Sequence, residues 1–250
     1  MNASHDVLPF QTEEATQITP AAFRFHPLRG PFNAHFFTAL DRYLDHLLRP
    51  QKQSRFGTLP ATVVELGPGV GANLRYLRPG TRLIAVEPNP AMHDRLRARA
   101  ARARIDLELH TTVAEQLDLP DESVDAAISS LVLCTVTDPD AVLAEVHRIL
   151  RPGGRYAFLE HVAAPEGSPL RGLQRAARRP WKWTFEGCSC ERDLQAVIES
   201  AGFAETAVDA YRLRSPFLPV NTQIAGVARK ARSTTSENIS GSSHSDIPHT

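Results

Sequence analysis

The residues best suited to chemistry open with Glu65-Leu-Gly67-Pro-Gly69-Val-Gly71-Ala72. Glycines let a backbone turn sharply and approach a ligand with no Cβ in the way. Two chemistries use such a loop. Gly67-x-Gly69-x-x-Ala72 fits a dinucleotide fingerprint, and Glu87 follows at the spacing of a ribose-binding acid. Glu65, at the strand end, instead suits a ligand with an ammonium or sulfonium cation, because it would repel a pyrophosphate. The glycines alone do not decide between them. Glu87 closes a second apolar run, Ala-Val-Glu-Pro, where a carboxylate can accept from both ribose hydroxyls. Further on, His161 follows Glu160 at the end of another apolar run. An imidazole there could take or orient a proton near neutral pH. The bland alternative is a ring satisfied by a backbone carbonyl. Cys134, Cys188 and Cys190 are too few for a closed disulfide framework. Cys188 and Cys190 lack a second ligand pair at metal spacing, so no metal is expected and the cysteines read as structural. Cys134 reads as a small buried hydrophobe.

These residues need a frame that presents strand ends side by side. Short apolar runs at 62–66, 82–86, 107–113, 124–130 and 155–160 alternate with helical segments near 72–77, 91–104 and 140–150. That alternation implies a mostly parallel sheet with helices on both faces, and ligands bind at the carboxyl ends of such strands. Phe32, Phe36, Leu40, Tyr43, Leu44 and Leu47 recur at steps of three and four, one apolar helix face that Pro50 is expected to end. Segments 170–179 and 191–201 read as helices. Runs 204–213 and 222–228 read as two strands with no helix between, an antiparallel end to the sheet.

Composition removes several function classes. Lys plus Arg total 28 and Asp plus Glu total 28, so the net charge is zero and no basic excess points to nucleic acid. The apolar run at 126–136 is far shorter than a membrane span and carries Ser129, Ser130, Cys134 and Thr135. Residues 1–20 hold no apolar leader, and the cysteine usage suits a reducing compartment, so the expected location is the cytoplasm. Residues 1–27 read as an irregular N-terminal segment and 231–250 as a disordered Ser-rich tail. The working domain is 28–230, with 165–190 as a cover over its site.

Taken together, residues 65–71, Glu87-Pro88-Asn89-Pro90, 117–125, Leu131-Val132-Leu133-Cys134 and Leu150-Arg-Pro-Gly-Gly154 resemble the class I S-adenosylmethionine-dependent methyltransferases, in order and spacing. Gly71-Ala-Asn-Leu-Arg-Tyr, Ser130-Leu-Val-Leu-Cys-Thr-Val, Phe158-Leu-Glu-His-Val-Ala-Ala and Phe185-Glu-Gly-Cys188 resemble the methyltransferase-like thiol S-methyltransferases in particular. The resemblance implies a Rossmann-like fold, a seven-stranded mostly parallel sheet with an antiparallel strand at one edge. It implies S-adenosyl-L-methionine as cofactor. Gly67, Gly69 and Gly71 would form its loop, with Glu65 facing the cationic end and Glu87 and Pro88 at the ribose. Val113 stands where many relatives carry an adenine-binding acid, which leaves the Ala114 N–H and Glu115 for the adenine. Ser130 and Leu131 would border the methyl group. His161 would stand nearest the acceptor, a small molecule that is apolar or thiol-bearing. Relatives of this kind are membrane-associated through an apolar anchor, which this chain lacks before residue 60. Peripheral contact through Arg171, Arg175, Arg178, Arg179 and Lys182 is the remaining expectation for a membrane. Trp181, Trp183 and Phe185 supply candidate acceptor-pocket aromatics. The rival readings are a quinone-type or other small-molecule C-, N- or O-methyltransferase, an NAD-dependent oxidoreductase, and a cofactor-binding protein without catalysis.

Overall fold

A computed structural model describes residues 23–233. The expectations for 1–22 and for 234–250 lie outside the described residues. Strands β1 (Thr62–Leu66), β2 (Arg82–Val86), β3 (Asp106–His110), β4 (Val124–Ser130), β5 (Leu150–His161), β6 (Glu205–Arg212) and β7 (Thr222–Arg229) form one sheet in the order β3-β2-β1-β4-β5-β7-β6. β1 to β5 are parallel, and β7 runs antiparallel to both β5 and β6. The antiparallel strand therefore lies second from that edge rather than at it. Val63, Val64, Glu65 and Leu66 are all buried, as a strand covered on both faces must be. β1 and β4 are neighbours with opposite directions of growth on either side, which makes their carboxyl ends the switch point where ligands bind.

Helices α1 (Arg29–Phe56), α2 (Pro90–Ala103), α3 (Pro139–Ile149), α4 (Pro169–Thr184) and α5 (Leu194–Ser200) flank the sheet. Three start as their sequences require. Asn89, Asp138 and Ser168 cap α2, α3 and α4 through side-chain oxygens, each followed by a proline in the first turn. Two expectations change. The stretch 72–77 holds only a 3-10 turn, Leu74–Tyr76, because Gly71 and Asn73 are spent on loop packing. Pro50 does not end α1, which runs on to Phe56. A proline costs one helical bond. Beyond it, Lys52 and Phe56 are both buried, and burying one Phe side chain contributes roughly 1.5–3 kcal/mol. Among the described residues no helix is long and apolar enough to cross a membrane.

Candidate functional site

The carboxyl ends of β1, β2, β4 and β5 open into one cavity of about 880 Å³, within the range of small-molecule sites. Gly67 and Gly69, with φ of 55° and 56°, turn the chain out of β1. Each needs glycine for a different reason. A Cβ on Gly67 would meet Val132 Cγ2 at 2.7 Å, whereas one on Gly69 would project into open space. Gly69 thus leaves a cradle at the cavity wall. Gly71 does not line the cavity. Its missing Cβ makes room for Leu74 and Leu96, so its role is packing.

Glu87 holds this loop from the next strand. Its two carboxylate oxygens accept from the Gly69 and Asn89 backbone N–H groups, each at 2.9 Å. Burial pushes the Glu87 pKa up to about 7 against those hydrogen bonds. Glu65 sits fully buried beneath the loop. It accepts from Asn73 Nδ2 at 2.7 Å, and its other oxygen has no partner among the described residues. Burial raises its pKa to about 7, while Asn73 and the nearby Lys52 oppose the shift. Lys52, from the part of α1 beyond Pro50, lines the same cavity, and burial lowers its pKa to about 8. A buried cation beside a buried acid was not legible in the sequence, because the two lie on separate elements.

Pro88, Ala114, Glu115, Ser130 and Leu131 all line the cavity. Glu115 Oε1 also accepts from the Thr137 N–H at 2.7 Å and holds the entry to α3. Leu131 has φ of 61°, a left-handed conformation that costs a bulky residue free energy. It is held there by its N–H donating to Leu159 O at 2.8 Å and by Glu160 Oε1, which accepts from the Val132 N–H at 3.1 Å and from Ser129 Oγ at 2.8 Å. Burial raises Glu160 to about 7 as well.

The far side of the cavity is apolar. Phe36 packs against Phe185 at a centroid distance of 5.4 Å, and Trp181 packs on Phe185 at 4.5 Å. Asn33 and Glu186 are among its polar residues, with Arg29, Arg179 and Lys182. Asn33 Nδ2 donates to Thr184 O, and Glu186 Oε2 accepts from Asn89 Nδ2 at 3.0 Å, linking the α4 end to the β2 end. Neither stood out in the sequence, since a lone Asn on a helix and one acid in a loop have no recognisable spacing.

His161 is neither exposed nor satisfied by a backbone carbonyl. Its Nε2 lies 3.1 Å from Cys188 Sγ, and its Nδ1 has no partner among the described residues. Cys134 Sγ lies 3.6 Å from the same sulfur. The three side chains meet in a buried corner of the cavity, although 54 positions separate the cysteines. All three cysteines are buried, Cys190 packing on Gln174 O, and Cys134 and Cys188 also line the cavity. The Cys134 hydrogen bond, and then the charge of His161, draw the Cys188 thiol well below its usual range against the effect of burial. Burial lowers His161, but the Cys188 sulfur more than reverses this and raises it.

A methyltransferase-domain sequence profile matches residues 64–158. The thiol S-methyltransferase TMT1B of Rattus norvegicus is 37% identical over 172 residues, covering 68% of this chain and 70% of its own length. The chain belongs to the class I S-adenosylmethionine-dependent methyltransferases. Thiol S-methyltransferase TMT1A of Homo sapiens is 31% identical with the same coverage. In the solved complex between the Haloferax volcanii Trm112 methyltransferase activator and a methyltransferase, one chain superposes with a TM-score of 0.62 at 18% identity, covering 81% of this chain and 98% of that one. Haemonchus contortus phosphoethanolamine N-methyltransferase 2, solved with S-adenosyl-L-methionine, superposes with a TM-score of 0.57 at 14% identity, covering 73% of this chain and 53% of that one. These structures share the fold. The methyl donor of this methyltransferase is S-adenosylmethionine. Gly69 and Glu87 lie on the cavity wall, and Glu65 is buried beneath the loop that carries them.

Proposed function

We propose that this methyltransferase transfers its methyl group to the sulfur of a small apolar thiol. One observation carries the reading: a single cavity joins the glycine loop to an aromatic wall that ends in the Cys134–His161–Cys188 corner. The sequence similarity to thiol S-methyltransferases supports the same acceptor class.

When bound, S-adenosylmethionine supplies an electrophilic sulfonium methyl group. Gly67 and Gly69 would run along its methionine part, with Lys52 available to the carboxylate, while Glu65, buried beneath the loop, orders it through Asn73. Glu87 and Pro88 border the ribose. Glu87 keeps lone pairs free beyond its two backbone contacts, and an ionised acceptor strengthens hydrogen bonds from hydroxyls. Ala114 offers its N–H to the adenine. Ser130 and the strained Leu131 border the methyl group. The aromatic wall excludes water and orients the acceptor, and orientation supplies much of the acceleration in a displacement of this kind. His161 acts through the Cys188 sulfur that occupies its Nε2.

The test is a panel of thiols, phenols and amines assayed with S-adenosylmethionine. Methylation confined to thiols is the expected result. Turnover of phenols or amines with thiols untouched refutes the reading.

A lipid surface is a second proposal for the mouth of this cavity. Trp183 lines the cavity and is exposed, Leu28, Phe32 and Leu218 are exposed apolar side chains, and of the basic residues of α4 Arg171 and Arg175 pair with Glu166 while Arg178, Arg179 and Lys182 follow on its later turns. Such a face binds anionic headgroups through buried apolar area plus charge. Co-sedimentation with anionic vesicles at low salt is expected, and its absence there removes the proposal.

A further inference from the structure

Three polar side chains surround one sulfur atom at the acceptor end of the cavity. The Trp181 indole N–H donates to Cys188 Sγ at 3.3 Å, His161 Nε2 lies 3.1 Å from it, and Cys134 Sγ lies 3.6 Å from it. An indole nitrogen can only donate. A neutral thiol needs few acceptor contacts, whereas a thiolate needs several. We infer that Cys188 stands as a thiolate in the free enzyme and is the group that takes the acceptor's proton. The inference rests on the thiol reading above and names the base that it requires.

The placement fits the task. Cys188 and His161 both line the cavity, so an incoming thiol can reach the Cys188 sulfur directly. The acceptor S–H proton moves to Cys188 Sγ, leaving an acceptor thiolate beside His161. Its sulfur lone pair forms the new S–CH3 bond as the methyl–sulfonium bond breaks, and that electron pair returns to the departing thioether. Cys188 then gives its proton to water through the cavity. The net change is one thiol and one sulfonium converted to two thioethers and one proton. Because Cys188 is held below the ordinary thiol range, this proton transfer runs uphill for an alkyl thiol, and the methyl transfer that consumes the acceptor thiolate draws it forward. The other titratable or charged groups about Cys188 are Cys134, Cys190 and, around His161, Glu160 and Arg192. His161, Trp181 and Cys134 are positioning residues, since each acts through this sulfur.

Two measurements test the inference on the full chain. In the first, iodoacetamide labelling of Cys188 is followed by peptide mass spectrometry from pH 5.5 to 9.5. The rate should inflect at least about one pH unit below the ~8.5 of a free thiol. Trp181→Phe, which keeps the packing and removes one donor, should move the inflection upward. In the second, Cys188→Ser is assayed with thiols of graded acidity. A loss of about 100-fold or more is expected for alkyl thiols. The loss should shrink to a few-fold for an aromatic thiol already ionised at neutral pH, with S-adenosylhomocysteine affinity unchanged. An inflection at or above ~8.5 overturns the inference, as does a loss independent of thiol acidity, or a stoichiometric metal ion on the three side chains. If the wild type methylates no thiol, the function proposed above fails, while the labelling still reads the state of Cys188.

Discussion

The two halves of the cavity are built by different means. The cofactor half is local: Glu65, Gly67, Gly69 and Asn73 come from one strand and its following loop, and Glu87 from the neighbouring strand. Its contacts are mostly to backbone N–H groups, which any sequence supplies once the loop forms. The acceptor half is distant: α1, the ends of β4 and β5, and the loop after α4 each give one or two side chains. Its contacts are between side chains, such as His161 with Cys188 and Asn89 with Glu186. A cofactor shared across a family suits the first design, while an acceptor peculiar to one enzyme suits the second.

Substitutions should separate the two halves. The largest effect on ligand binding is expected from Glu87→Gln, which keeps the shape and removes the charge. Charge-assisted hydrogen bonds contribute roughly 1.5–3 kcal/mol. S-adenosylhomocysteine affinity by calorimetry should fall about 10- to 100-fold, with the fold intact. Next comes the pair Gly67→Ala and Gly69→Ala. The first must push Val132 aside in addition to its positive φ, and should lower unfolding stability by about 2–3 kcal/mol in denaturant titration. The second meets nothing and should lose only about 1 kcal/mol. Equal losses would mean that the two glycines do the same work.

A pH series gives a third test, and its sign follows from the buried acids. Glu65, Glu87 and Glu160 titrate near 7 in the folded chain, above their ordinary value of 4.5. The folded state therefore holds more protons than the unfolded state between those values. Their contribution to stability is full below pH 4.5 and is lost as pH rises toward 7. Melting temperature of the ligand-free chain should fall across that window. Affinity for S-adenosylhomocysteine should rise over the upper part of it, as Glu87 ionises, and Glu87→Gln should flatten that rise. The smallest effect belongs to the acceptor wall. Phe36→Ala should raise KM for an apolar thiol by roughly 10-fold, about 1.4 kcal/mol. It should leave cofactor affinity alone, and a change in both would mean that the halves are coupled.

Much of the cofactor half was legible in the sequence. Gly67, Gly69 and Glu87 are close in the chain, and their spacing follows from one strand, one turn and the next strand. The strand sequence also implied the parallel sheet and its antiparallel end. The exceptions have physical causes. Gly71 matches the motif yet serves packing, because sequence spacing cannot say which way a missing Cβ points. Pro50 reads as a stop, but the burial of Lys52 and Phe56 beyond it outweighs one lost backbone bond.

The sequence by itself determined the order of strands and helices, the glycine turn and the acids that meet it, since each depends on residues a few positions apart. Only the tertiary structure brought Cys134, His161 and Cys188 together. Alone, each has an ordinary explanation as a buried hydrophobe, a sheet histidine or a structural cysteine. Packing α4 and its following loop against the ends of β4 and β5 brings the three to within 4.8 Å of one another. At that range, away from bulk water, the hydrogen bonds of one side chain set the charge of the next.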